Sequence, residues 1–168
     1  MPTRIAILFA ALALFAGPAA AQGPDLIFKK STVWKFLTPD HKLATYGVDD
    51  PLVEGVACHY AVPETGGLKG MFGLAEELSK ASLACRQIGP IRFKEKFEQG
   101  EEMFSRRRSL LFKRVQIVRG CDVKRNVLVY LIYTDKLIEG SPENSVSTVP
   151  LMPWGGVEPP RCADFVEG

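Results

Sequence analysis

The stretch that most constrains the fold runs from Ser109 to Pro142, where two apolar segments flank the short polar sequence CDVKRN. This pattern predicts a β-hairpin. In the second segment, VLVYLIY, both alternating faces are apolar, and β-branched and aromatic residues dominate. Such a strand is expected at the centre of a sheet and covered on both sides. It is too short to span a membrane.

Strand patterns recur through the rest of the chain, with turn residues between them. Pro63 and Gly89-Pro90 are expected to end two of these strands, and residues 91–100 are predicted to be mostly loop. One or two helical turns are expected at 74–78. The fold class is therefore mainly β, an antiparallel sandwich or distorted barrel with one short helical segment. The expected strands cover residues 25–36, 42–48, 53–62, 81–88, 101–107, the two arms of the hairpin, and 146–149.

The N-terminus has the pattern of a secretory signal peptide. Arg4 precedes an uninterrupted apolar run from Ile5 to Phe15, and small residues follow as far as Ala21. The run is shorter than the roughly 20 residues that a spanning helix needs. We therefore expect cleavage after Ala21 and export to the periplasm, and no later stretch is predicted to span a membrane.

The mature chain is nearly balanced in charge. Removing Arg4 leaves 20 basic and 19 acidic residues, so no nucleic-acid partner is expected. All four cysteines, Cys58, Cys85, Cys121 and Cys162, lie in the mature part. An even number in an exported chain implies disulfides, but four cysteines allow three pairings, and the sequence pattern does not choose among them.

Motifs for metal, cofactor and nucleophilic chemistry are absent from the sequence. There are two histidines and no CxxC, HExxH or GxSxG sequence. The cysteine spacings do not form the close pairs of a zinc site. The neighbouring acids Asp49-Asp50, Glu76-Glu77 and Glu101-Glu102 are interpreted as solvated, although a hydrolase using a remote carboxylate pair stays open. No catalytic residue, metal or cofactor is therefore assigned.

Two stretches are candidates for binding an anionic ligand or a protein partner. The segment with Gly66, Gly67, Lys69 and Gly70 is either a tight turn or a backbone-amide anion site assisted by Lys69. The arginines 106–108 place Arg106 and Arg108 on one face of a strand. They form either a solvated edge that blocks strand addition or a surface for an acidic partner. Arg86 is added to this predicted surface.

Several segments in order resemble the CreA family of exported proteins from Gram-negative bacteria. The likeness covers roughly Ile27 to Trp154, almost the whole mature chain. It is carried by DHK (40–42), TGGLKG with GLAE (65–76), CRQIGPI (85–91), SLLFK (109–113), DVKRNVLVYLIYTDKLIEGSP (122–142) and VPLMPW (149–154).

The resemblance implies a periplasmic protein of unassigned biochemical function. The family name refers to an operon that also encodes a carbon-responsive two-component system, which suggests a link to carbon-source or envelope-stress responses. The family pattern implies a Cys58–Cys85 bridge, and the two additional cysteines then pair as Cys121–Cys162. The chain divides into a signal peptide (1–21), one CreA-like β domain (22–154) and an irregular C-terminal extension (155–168).

These observations favour a periplasmic binding or accessory protein over an enzyme. We favour a binding protein because the sequence contains no motif that pairs a nucleophile with a base. A small hydrolase using carboxylates is the alternative. A redox protein using Cys58 and Cys85 is a third hypothesis, which a buried and resistant bridge would exclude.

Overall fold

The computed structural model describes residues 23–32, 41–65, 81–107, 114–134 and 143–167. The expected signal peptide and the expected helical turns at 74–78 lie outside these residues. No helix within the described ranges is long and apolar enough to cross a membrane.

Eight strands form two antiparallel sheets, and each strand pairs with its neighbour in sequence. The first sheet contains β1 (Asp25–Ser31), β2 (His41–Asp49), β3 (Val53–Thr65) and β4 (Ser82–Phe93); the second contains β5 (Glu101–Arg107), β6 (Arg114–Asp122), β7 (Val127–Thr134) and β8 (Asn144–Pro150). A 3-10 turn at Cys162–Phe165 is the one helical element described. The mainly β, antiparallel prediction is confirmed, and the sheets in the described residues do not close into a barrel.

The predicted hairpin is β6 and β7, joined by a turn at 123–126. On β7, Leu128, Tyr130 and Ile132 are fully buried, whereas the alternate residues are only half-buried. The strand is central, between β6 and β8. The expectation that both faces are covered is met in part within the described residues, because one face is sealed against the other sheet and the opposite face keeps some exposure.

The expected stops at Pro63 and at Gly89-Pro90 are wrong, because β3 continues to Thr65 and β4 continues to Phe93. The pairing of β3 with β4 shifts register around Gly55, which has a φ of 85°. A Cβ at Gly55 would lie 2.4 Å from the carbonyl oxygen of Pro90. The bulge at Gly55 therefore lets the strand pass a residue that has no amide hydrogen to donate.

The two sheets are joined along one side by β4 and β8. The amide of Cys85 donates to Ser147 Oγ at 2.8 Å, in a buried position. The Gln87 side chain bonds both backbone groups of Met152, at 2.9 Å and 3.0 Å. On the opposite side, β1 and β5 are edge strands that pair only with β2 and β6 among the described residues. The sandwich is thus closed on one side and open on the other.

Both cysteine pairs that the family resemblance implies are at bonding distance. The sulfur atoms of Cys58 and Cys85 are 2.07 Å apart, and those of Cys121 and Cys162 are 1.97 Å apart. In the chain-entropy model, loops of these lengths are each worth about 3.5–4 kcal/mol. The Cys58–Cys85 pair is fully buried between paired positions of β3 and β4. That burial argues against thiol exchange at this bridge, and so against the redox hypothesis.

The C-terminal segment packs back onto the connection between the sheets. Phe97 and Val166 form a parallel β-bridge. The ring of Phe165 stacks on that of Phe93 at 4.4 Å between centroids. Together with the Cys121–Cys162 bridge, these contacts place Cys162 in the core and pack Phe165 and Val166 against it.

Candidate functional site

The most deeply buried polar side chains, Asp50, Arg119 and Tyr130, form one cluster between the sheets. The side chains of Arg119 and Asp50 are 1% and 0% exposed. Arg119 donates to Asp50 Oδ1, and the Tyr130 hydroxyl donates to Asp50 Oδ2 at 2.9 Å. We call these three residues the buried latch, because they join the end of β2 to β6 and β7.

The same carboxylate also shapes the turn between β2 and β3. Asp50 Oδ1 accepts hydrogen bonds from the amides of Leu52 and Val53, at 2.9 Å and 3.2 Å. Arg119 lies 4.7 Å from the centroid of the Phe97 ring. The latch is therefore hydrogen-bonded and shielded by an aromatic ring, as a buried ion pair must be to be tolerated.

The interpretation of Asp49-Asp50 as a solvated pair is wrong for Asp50. Its oxygens are occupied by four donors, and solvent does not reach it. A general acid or base must meet its substrate within hydrogen-bonding reach. Asp50 is consequently a structural carboxylate, and the hydrolase alternative gains nothing from it.

A groove lies along the open side of the sandwich, between β1 and β5. Its volume is about 960 Å³, at the upper end of the range for ligand sites. Its apolar and aromatic part comes from residues of both sheets, and charged residues stand at its two ends. The lining residues are Gly23, Pro24, Leu26, Lys29, Tyr46, Val48, Asp49, Pro51, Glu102, Met103, Phe104, Ser105 and Arg106. We call this feature the open groove.

One end of the open groove is basic and aromatic. Lys29 Nζ lies 2.6 Å from Glu64 Oε2, and the Tyr46 hydroxyl donates to the other oxygen of Glu64. The hydrogen bond and the charge of Glu64 raise the pKa of Lys29 above its usual value. The Glu64 carboxylate thus orients the Tyr46 ring and largely balances the charge of Lys29.

Arg106 provides the remaining positive charge at this end. Its guanidinium carbon lies 4.7 Å above the centroid of the Tyr46 ring, a cation–π geometry. Tyr46 stacks in turn on Tyr60, and Tyr60 contacts Phe104, with ring centroids 5.3 Å and 5.7 Å apart. Within the described ranges, Arg106 has no ion pair with a carboxylate. The aromatic rings therefore hold an exposed guanidinium in place without neutralising it.

The other end of the open groove is acidic. Asp49 is the last residue of β2, and Glu102 lies near the start of β5. Both side chains are exposed, and no ion pair involves either of them within the described ranges. The open groove is consequently bipolar, with Arg106 at one end and these two acids at the other.

The structure places only part of the predicted anion surface in this groove. Arg106 lines it. Arg86 does not: it lies on β4, where its guanidinium bonds the carbonyl oxygen of Cys85 at 2.7 Å. The remaining predicted residues, Gly66, Gly67, Lys69, Gly70 and Arg108, lie outside the described residues. No group of three or more His, Cys, Asp or Glu residues in the described ranges is arranged to hold a metal ion.

Sequence reasoning missed Arg119, although the signal was present. Val115, Ile117, Arg119 and Cys121 alternate along β6 and are all buried, so the strand period of two placed an arginine on the inner face. Tyr46 shares the inner face of β2 with Ala44 in the same way. An arginine at a core position of a strand predicts a buried carboxylate partner, although the sequence does not indicate which acid that partner is.

The fold and the groove define a class: a two-sheet antiparallel β-protein with a groove along its open side. The chain belongs to the CreA family, whose model, described as CreA protein, matches residues 27–154. It is similar to Protein CreA of Escherichia coli strain K12, with 49% identity over 127 residues, which covers 73% of this chain and 81% of the relative. Protein CreA of E. coli O6:H1 and of O157:H7 match to the same extent. The family resemblance seen in the sequence is thereby confirmed. No solved structure matches the chain.

Replacing Asp50 by alanine should strongly destabilise the protein. The change removes the buried carboxylate that pairs with the guanidinium of Arg119 and leaves only the longer contact with the partly exposed Glu101, 3.5 Å from Nη2. Breaking a buried pair in this way costs about 3–5 kcal/mol. Asp49→Ala is the matched control, because this neighbouring acid is exposed and should change stability by less than about 0.5 kcal/mol. Urea unfolding followed by tyrosine and tryptophan fluorescence measures both. Similar losses for the two variants would contradict the structural role of the latch.

Tyr130 should make the protein less stable in alkali. Burial and the charge of Asp50 raise the pKa of its phenol far above the usual value, whereas the unfolded chain ionises near pH 10. Above pH 10 the unfolded state therefore loses a proton that the folded state keeps, and stability falls as the pH rises.

The Tyr130→Phe variant lacks this contribution. Its unfolding free energy should fall less steeply above pH 10, by as much as about 1.4 kcal/mol per pH unit. Urea unfolding of both proteins between pH 8 and 11.5 measures the difference in slope. Parallel curves above pH 10 would show that Tyr130 is not held protonated.

Proposed function

We propose that this protein is a periplasmic binding protein that holds an anionic ligand in the open groove. The observation that carries the proposal is Arg106: an exposed guanidinium, fixed on the Tyr46 ring and lacking a carboxylate partner in the described residues. Arginine in such a setting is suited to bind a carboxylate or phosphate oxygen. The aromatic and apolar residues beside it suit a ligand with an apolar body.

Binding is favoured over hydrolysis because the polar groups at the groove do not form a catalytic arrangement. Glu64 is engaged by Lys29 and Tyr46, and the only buried carboxylate in the described residues, Asp50, is sealed inside the latch. The other two acids of the groove, Asp49 and Glu102, are exposed, and no histidine or cysteine is among the lining residues. The groove therefore supplies recognition groups, namely a cation, aromatic faces and two solvated acids, rather than a nucleophile with its base.

The cellular setting of the proposal comes from the N-terminal sequence and the family. Residues 1–21 have the pattern of a cleaved signal peptide. We expect the mature protein to begin at Gln22 in the periplasmic fraction, where an accessory role in carbon-source or envelope-stress responses would be exercised. Mass spectrometry of the protein recovered by osmotic shock tests this. An intact N-terminus in the cytoplasmic fraction would contradict it.

Binding can be measured with simple anions. Inorganic phosphate, acetate, hexanoate and octanoate are added to the purified mature protein, and the thermal midpoint and the heat of binding are recorded. We expect octanoate to bind most tightly and to raise the midpoint, since a ligand that binds only the folded state stabilises it. Phosphate and acetate test whether the charge alone is sufficient.

Arg106→Gln is the decisive variant. It should weaken octanoate binding about tenfold or more, since a charge-assisted hydrogen bond is lost. Arg86→Gln is the matched control, because it removes an exposed strand arginine that does not line the groove. The proposal is wrong if none of the anions binds, or if the two variants bind equally well.

A further inference from the structure

The open groove has features that a simple anion would leave unused. It is bounded by two strand edges, β1 and β5, whose outer backbone groups pair with no other strand in the described residues. Every residue of β1 is exposed, and Leu26 and Phe28 are more than half exposed. Exposed backbone edges with apolar side chains are the surface to which an extended peptide adds as a further strand.

The charges of the groove set the polarity of such a peptide. Arg106 lies near the C-terminal end of β5, whereas Asp49 and Glu102 lie near its N-terminal end. A free peptide carries a carboxylate at one end and an ammonium group at the other. Its carboxylate complements Arg106, and its ammonium group complements the two acids.

The separation of these charges sets the length. Glu102 pairs with Val118 and Arg106 with Val115, three positions apart on β6 because β5 has a register shift after Glu102, which corresponds to about 10 Å along a strand. Three extended residues span about the same distance. The side chains of Leu26, Met103 and Phe104 line the groove, so the central residues of the peptide meet apolar surface.

We propose that the ligand of the open groove is a short free peptide of three or four residues. It binds in extended form with its carboxylate at Arg106 and its amino end at Asp49 and Glu102. This inference rests on the proposed anion-binding function and names the class of ligand for the same site. The edges of β1 and β5 supply the backbone hydrogen bonds, and the apolar residues of the groove favour apolar side chains at the centre of the peptide.

Selection of a short peptide would also account for the register shifts in both edge strands, β1 and β5. Pairing shifts register between Leu26 and Phe28 on β1, and between Glu102 and Phe104 on β5. Bulges and charged residues on an edge hinder pairing with long strands of other proteins. A short peptide needs only a few backbone hydrogen bonds, and the charges at its two ends are complemented by Arg106 and by the two acids. The groove therefore favours it over a strand of another protein, which has no charged ends at these positions.

The test uses calorimetry with the full mature protein and the peptide Ala-Leu-Val-Ala, with analogues of two to six residues. We expect the tightest binding for three or four residues. Acetylation of the amino end, or amidation of the carboxyl end, should each weaken binding about tenfold or more. Equal binding of all lengths and of the blocked peptides would overturn the inference.

Variants connect each end of the peptide to its side chain. Arg106→Gln should weaken the free peptide about tenfold but change binding of the amidated peptide little, because that peptide has no carboxylate to lose. Glu102→Gln should weaken the free peptide and leave the acetylated one nearly unchanged. Arg86→Gln and Glu158→Gln, which lie outside the groove lining, are the matched controls and should bind all peptides as the unmodified protein does.

The outcomes separate this inference from the proposed function. In one outcome, octanoate binding depends on Arg106, but peptide binding does not depend on peptide length or end groups. That result would overturn the peptide inference and leave the proposed anion site supported. Loss of both octanoate and peptide binding would overturn both. A thermal midpoint within a few degrees of the unmodified protein shows that each variant is folded, so that lost binding reflects the groove.

Discussion

The ion pair between Arg119 and Asp50 is the interaction on which the rest of the structure depends. One carboxylate orders the turn from β2 to β3 and receives donors from two strands of the other sheet. Alternating apolar residues would bring two sheets face to face, but many relative positions bury similar apolar area. A buried charge can be satisfied in very few of them. The latch therefore selects one alignment of the sheets.

That alignment determines where the molecule is open. The side chain of Ser147 and the amide of Cys85 meet where β4 and β8 approach each other, so one side of the sandwich is joined. The opposite edges remain apart, and Tyr46 and Arg106 are held across the gap between β2 and β5. The proposed binding site is thus the side of the sandwich that the chain's own strands leave unfilled. Its aromatic residues continue the core toward solvent without a break.

Features that depend on local sequence were predictable, and features that depend on distant residues were not. The hairpin of β6 and β7 follows from alternation and a polar turn. The passage of β4 through Gly89-Pro90 depends on Gly55, which lies on a different strand. Likewise, Asp50 and Arg119 are 69 residues apart, so neither predicts the other by spacing. The cysteine pairing was correct because family likeness supplied what spacing did not.

The same limit applies to the groove. Arg106 was identified as a candidate from its charged neighbours, but the sequence does not state which strand edges stay unpaired. Lys29 and Tyr46 read as ordinary strand residues until β1, β2 and β5 are placed together. Arg86 is comparable to Arg106 by sequence, yet its guanidinium turns back onto its own strand. Charge identifies candidates, and topology decides which of them share a site.

The C-terminal segment shows that the limit of the family similarity and the limit of the packed core lie at different residues. Similarity to the CreA family ends at Trp154, but the core does not. Phe97, whose ring covers the guanidinium of Arg119, exchanges backbone hydrogen bonds with Phe165 and Glu167. A chain trimmed at the limit of recognisable homology would keep every strand and lose the support of the ring that keeps water from the ion pair. In this protein, residues beyond the family match hold in place the ring that shields the buried ion pair.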